Sequence, residues 1–226
     1  MKSNENLDLT KALRGGPAYF TTPATFVHSF YLYQIGSAED YVDWFNTIRN
    51  CTENDIIKIH INSPGGDLLT TIQLMRALSE TSATVICSVE GECMSAATMI
   101  FLQADIVEVS EHSMFMFHNY SGGTFGKGGE MIDQLQHERK WSEGLLREVY
   151  ADFLSEDEIT SILDNRDIWL DGKEILARLT NKVATAKAKW EAAQADAIAA
   201  EVSPEEKISP AKKTNVAKKQ RNNTKK

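Results

Sequence analysis

Long apolar runs are missing from this 226-residue chain. No stretch approaches the roughly eighteen consecutive apolar residues that a membrane-spanning helix needs, so no span is expected. The start, Met1 to Leu7, is polar and mixed in charge, without the basic opening and apolar run of a secretory signal. Cysteine is scarce. Cys51, Cys87 and Cys93 make an odd count and lack the paired spacing of a metal site. That predicts neither a disulfide framework nor a bound metal, and fits a reducing cytoplasm. A glycine-rich phosphate loop ending in Lys-Ser or Lys-Thr is also missing, so no nucleotide or other cofactor is expected.

What is there is ordinary for a soluble globular protein. Apolar residues make up 42% and charged residues 25%. The net charge of −8 hides an uneven distribution. Seven of the 24 basic residues lie in Ala211–Lys226, which holds no Asp or Glu, leaving 17 basic against 32 acidic residues elsewhere. An acidic body with a basic tail argues against nucleic-acid binding by the folded part, and leaves the tail as the one segment suited to it.

Residues 1–28 read as irregular, with turn signals at Gly15-Gly16-Pro17 and Thr22-Pro23. Phe30 to Ile35 reads as a strand, placing His28 before it. Ser37 then reads as the cap of a helix to about Asn50, with Tyr41, Trp44, Phe45 and Ile48 on one face. Ile56–Ile61 is a second strand, closed by the turn Asn62-Ser63-Pro64-Gly65-Gly66. A helix follows from Asp67 with Leu68, Ile72, Met75 and Leu78 as its core face. Thr84–Val89 is a third strand, broken at Gly91, and a short apolar helix begins near Met94. Asp105–Val109 and Met114–Phe117 are further strands. A glycine-rich loop over 122–129 leads to a helix from Glu130 to about Phe153, and Ser155–Leu163 is a shorter one.

Strands alternating with helices of this length predict an α/β domain of repeated β-α-β units over 29–180. Residues 181–226 form an Ala/Lys-rich extension, helical to about 201 and then a basic, disordered tail.

Three side chains stand out chemically. Ser95 opens a helix after a strand, where unpaired first-turn N–H groups can hold an oxyanion. A helix cap explains it equally well. His118 ends the run Met114-Phe115-Met116-Phe117, a suitable place for a general base, or for a histidine that only closes a strand. Asp167 could orient that histidine, yet spacing alone does not choose it over Asp164 or Asp171. Gly65 and Gly66 allow a close backbone approach to an oxyanion or a peptide, or make a plain turn. Together these nominate the nucleophile, base, orienting acid and oxyanion site that acyl transfer needs.

At this point the sequence resembles the proteolytic subunit of the Clp protease. The segments that carry the resemblance are Ile61-Asn62-Ser63-Pro64-Gly65-Gly66, Gly91 to Ala97 around Ser95, Met114 to His118, and Asn165-Arg166-Asp167, in register over about 30–178. The resemblance implies a fold of the Clp-protease and crotonase-like kind, stacked β-α-β units with a handle helix from Glu130. It implies Ser95 as nucleophile, His118 as base and Asp167 as orienter, with Gly65 and Ala96 N–H groups as the oxyanion hole. Gly66, Gly122 and Gly123 would lie beside a bound peptide. It also implies polypeptide substrates, a homo-oligomer of heptameric rings stacked in a tetradecamer, and an ATP-driven (AAA+) unfoldase as partner.

The chain departs from the family pattern at Met94 and Ala96-Ala97 around the serine, at its N-terminal segment, and in the extension after 180. These departures suit a bacteriophage form that matures the capsid. Two other readings fit the same residues. One is an enzyme of the same fold acting on acyl-coenzyme A thioesters, which needs no Ser-His-Asp set. The other is an inactive ring or scaffold subunit.

Overall fold

A computed structural model describes residues 25–202. These residues divide into two units at Lys182/Val183.

The first unit is built on a six-stranded sheet of order β1-β2-β3-β5-β6, with β4 also paired to β3. The strands are β1 Val27–Leu32, β2 Ile56–Ser63, β3 Thr84–Met94, β4 Ile106–Val109, β5 Met114–Phe117 and β6 Ile168–Asp171. All pairings are parallel except β5 with β6. Between them come a 3-10 turn over Ala38–Tyr41 and helices α1 (Val42–Asn50), α2 (Leu68–Glu80), α3 (Ala96–Phe101), α4 (Gly128–Tyr150), α5 (Glu156–Leu163) and α6 (Gly172–Val202).

Alternation in β2 and β3 decides which face of the sheet is covered. Ile57, Ile59, Ile61, Val85, Cys87 and Val89 are all buried, in one core with Ile48, Leu74, Leu78 and Ile100 from the helices. The intervening Lys58, His60 and Glu90 lie on the other face, where Lys58 pairs with Glu108 at 2.9 Å and His60 with Glu90 at 2.6 Å. Strands of a parallel sheet covered on both faces read as unbroken apolar runs; these alternate instead.

Several sequence expectations need correction. The first strand begins at Val27, so His28 lies inside it, opposite Ile57. Beyond Leu32 only Ile35 pairs, through an isolated bridge to Gly66. The expected helix from Ser37 is a 3-10 turn leading into α1, and Ser37 makes no capping bond. On α2 the fully buried row is Thr70, Thr71, Leu74, Ala77 and Leu78. Leu68 and Met75 pack at its margin. Gly91 does not break β3, which runs on to Met94. The register explains why: β2 advances two residues from Ile61 to Ser63 while its partner advances four, from Val89 to Cys93. The extra length lets β3 leave β2 and pair with β5 through Glu92, Cys93 and Met94. A Cβ on Gly91 would sit 2.4 Å from Asn62 Oδ1, so the glycine serves close approach. β6 was not expected; Asp167 lies just before this strand.

Beyond Lys182, α6 continues with Val183 and Trp190 exposed. The expected irregular segment up to 24 and the basic tail from 203 lie outside the described residues.

Candidate active site

The C-terminal ends of β2, β3 and β5 converge on Ser95. This residue follows the last residue of β3 and precedes the first of α3. Its backbone is left-handed, with φ 54° and ψ −128°. That conformation is uncommon for a residue with a Cβ and costs of order 1–3 kcal/mol unless the surroundings enforce it. They do so here from both sides. The Ser95 N–H donates to Met116 O at 2.8 Å. The Ser95 carbonyl accepts from Thr98 N–H at 3.0 Å and from Thr98 Oγ1 at 2.6 Å. Thr98 Oγ1 in turn lies 2.8 Å from the hydroxyl of Tyr150, at the end of α4. Burial pushes that phenol well above its usual pKa, so it stays a neutral O–H.

The strained turn aims the serine at β5. Ser95 Oγ lies 2.6 Å from His118 Nε2, and His118 follows the last residue of β5. A hydroxyl against an imidazole nitrogen at this distance is the geometry a general base requires.

Asp167 occupies the next position outward on the neighbouring strand. The β5–β6 ladder ends at Phe117 opposite Ile168, so its continuation sets His118 opposite Asp167. Asp167 is exposed, and among the described residues no hydrogen bond or ion pair joins it to His118. The two rival aspartates are occupied elsewhere. Asp164 pairs with Arg166 at 3.4 Å, and Asp171 Oδ1 accepts from Glu174 N–H at 2.9 Å, capping α6. Asn119, which the sequence reading passed over, ties the two sides together. Its Nδ2 donates to Leu163 O at 3.4 Å and Asn165 Oδ1 at 3.1 Å, and Asn165 holds a left-handed φ of 60°. Thr98 and Tyr150 were also missed. Thr98 carried a signal, three residues after the serine on a helix; Tyr150 carried none.

Gly65 comes close to the serine. It has φ 93°, and a Cβ there would meet Met94 O and Ser95 Cβ at 2.8 Å and Ala96 N at 3.0 Å. Only glycine fits. Its N–H donates to the buried Ser63 Oγ at 3.1 Å. Ala96 opens α3, where its N–H has no intrahelical acceptor. Gly66, at φ 146°, is held beside Ile35, whose N–H donates to Gly65 O at 2.8 Å and whose carbonyl accepts from Asp67 N–H at 2.9 Å. Gly122 and Gly123 are exposed, with open space where a Cβ would stand.

A parallel-dominant sheet with flanking helices fits the Clp-protease and crotonase-like fold. The family model described as Clp protease matches residues 34–186, and the chain belongs to that family, a family of peptidases. No curated protein matches the chain.

Proposed function

We propose that this chain is a serine endopeptidase that cleaves unfolded or flexible polypeptides through an acyl-enzyme. The observation that carries the reading is the strained Ser95 with its Oγ 2.6 Å from His118 Nε2. His118 takes the hydroxyl proton as Oγ attacks the scissile carbonyl carbon. The oxyanion is held by the Ala96 N–H and by the Gly65 N–H, the substrate oxygen replacing Ser63 Oγ as acceptor. His118 then gives its proton to the leaving amine, and water, activated by the same imidazole, hydrolyses the ester. Asp167 accepts the His118 Nδ1–H, orients the ring and stabilises its charged form. Gly66, Gly122 and Gly123 line the peptide path.

The active form is a homo-oligomeric ring, heptameric and stacked in pairs as the family resemblance suggests. In its support, Ile132, Leu135 and Trp141 on α4 are exposed in the single chain. The peptidase domain extends over 29–180, flanked by the N-terminal segment and the basic extension, and works in the cytoplasm, without membrane attachment. No helix among the described residues is long and apolar enough to cross a membrane.

An unfoldase would feed the family-type machine. The altered N-terminal segment and the Lys-rich tail favour a second setting, maturation of a bacteriophage head. A fluorophosphonate that labels the wild type and not Ser95→Ala tests the chemistry. Absence of labelling in an assembled oligomer would return the thioester or scaffold readings. Co-purification with a host unfoldase would count against the phage setting.

A further inference from the structure

A second group of chemically active side chains lies at the other end of the sheet. His28 stands near the start of β1, Cys51 caps the C-terminal end of α1, and Asp55 precedes β2. Their ligand atoms all fall within 4.8 Å of one another. We propose that His28, Cys51 and Asp55 form a binding site for a thiophilic divalent cation, zinc above all, with a fourth position left to water.

The donor set fits that ion. One imidazole, one thiolate and one carboxylate are the ligand types zinc combines, and three protein ligands with an open position are a recurring arrangement. Ligand atoms on a tetrahedral zinc stand about 3.3–3.8 Å apart, from bonds of about 2.0–2.3 Å, so closure needs side-chain movement of about an ångström.

The surroundings favour a cation. Asp55 is buried, and its carboxylate accepts from both the Thr52 backbone N–H and the Thr52 hydroxyl. Those two donors both reach Oδ2, at 2.7 and 2.8 Å. Among the described residues Oδ1 receives only the Phe26 N–H, at 3.2 Å, and keeps a lone pair for a metal. Cys51 lies at the negative end of the α1 dipole, where positive charge is stabilising. Its thiol donates to Thr47 O at 3.2 Å, but the Cys51 N–H reaches the same carbonyl at 3.1 Å. Metal binding would therefore release the thiol proton to solvent without leaving that carbonyl unpaired. A bound ion would staple the start of edge strand β1 to the turn between α1 and β2.

The test uses the full chain, purified without chelator. Zinc content by mass spectrometry, and titration with Zn²⁺ and Co²⁺, are compared for wild type, Cys51→Ser and His28→Gln. The expected result is one ion per chain and a thiolate-to-cobalt charge-transfer band. Both variants should lose the band or weaken binding by more than about a hundredfold, since even outer-shell changes cost about 10–100-fold. Wild type should gain thermal stability on zinc addition, and the folded variants should not. Absence of zinc binding by the wild type, or binding unchanged in both variants, overturns the proposal. Fluorophosphonate labelling of Ser95 is independent of either outcome, so this site and the proposed peptidase chemistry stand or fall separately.

Discussion

Ser95 Oγ and His118 Nε2 lie 2.6 Å apart although 23 residues separate them in the chain. The contact exists because β3 and β5 are neighbours, with Met94 opposite Met116. Each side chain sits just beyond the end of its strand. The positive φ of Ser95 then turns Oγ toward the imidazole.

Removing either member should abolish turnover. Ser95→Ala and His118→Ala are each expected to lower kcat on an unfolded protein by about 10⁴–10⁶-fold, with little further loss in the double variant, because the two act as a unit. Steady-state kinetics on the three variants check this.

Asp167 is singled out from its neighbours by the β5–β6 register. Asp167→Asn should lower kcat by about a thousandfold or more while leaving KM nearly unchanged. Asp164→Asn should stay near wild type, since its partner is the exposed Arg166. Equal losses in both would show that the aspartates act through folding.

Gly65→Ala places a methyl 2.8 Å from Met94 O and Ser95 Cβ at a φ of 93°. The expected cost is about 1–3 kcal/mol of stability, together with a large loss of activity from displacement of the serine turn. Thermal unfolding and kinetics, measured on the same sample, separate the two effects.

The buried hydroxyls behind the serine give a graded test. Thr98→Val strands the Tyr150 hydroxyl in the core and should cost about 1–3 kcal/mol. Tyr150→Phe leaves Thr98 still donating to the Ser95 carbonyl and should cost only about 1 kcal/mol. Denaturant unfolding of both variants ranks them.

Acid should loosen the junction of α5 with α6. Arg178 donates to both oxygens of Glu158, at 3.0 and 2.7 Å, and the pair holds the Glu158 carboxyl down to about 2 from an ordinary 4.5. A depressed carboxylate stabilises the fold above its unfolded pKa and loses that contribution as pH falls through the folded value. The stability of the wild type should therefore decline between about 4.5 and about 2, by about 1–2 kcal/mol from this pair. Glu158→Gln should flatten that part of the profile. Unfolding midpoints across the acid range read it directly.

Much of this was legible in the residues. The order Gly65, Ser95, His118, Asp167 and the strand–helix alternation gave the fold class and brought the serine and histidine into view. What stayed hidden has physical reasons. Gly91 was read as a break because glycine ends strands often, whereas here it admits Asn62 against the backbone. β6 has only four residues, too few for a period, and it exists because β5 offers an edge. Thr70 and Thr71 outrank Leu68 and Ile72 in burial because they share the inward row of α2 with Leu74, Ala77 and Leu78, and the Thr71 hydroxyl is satisfied by the Asp67 carbonyl. His28, Cys51 and Asp55 show no metal spacing since the histidine arrives from a neighbouring strand. The Tyr150–Thr98 contact joins residues 52 apart and leaves no local trace.

The proposed mechanism rests on Ser95 as an activated nucleophile. Intact-mass measurement of the assembled protein after fluorophosphonate treatment, followed by peptide mapping, tests it most directly. A single phosphonyl adduct on Ser95 is expected, absent in Ser95→Ala and strongly slowed in His118→Ala. An unmodified wild-type oligomer, or an adduct on another residue, would contradict it.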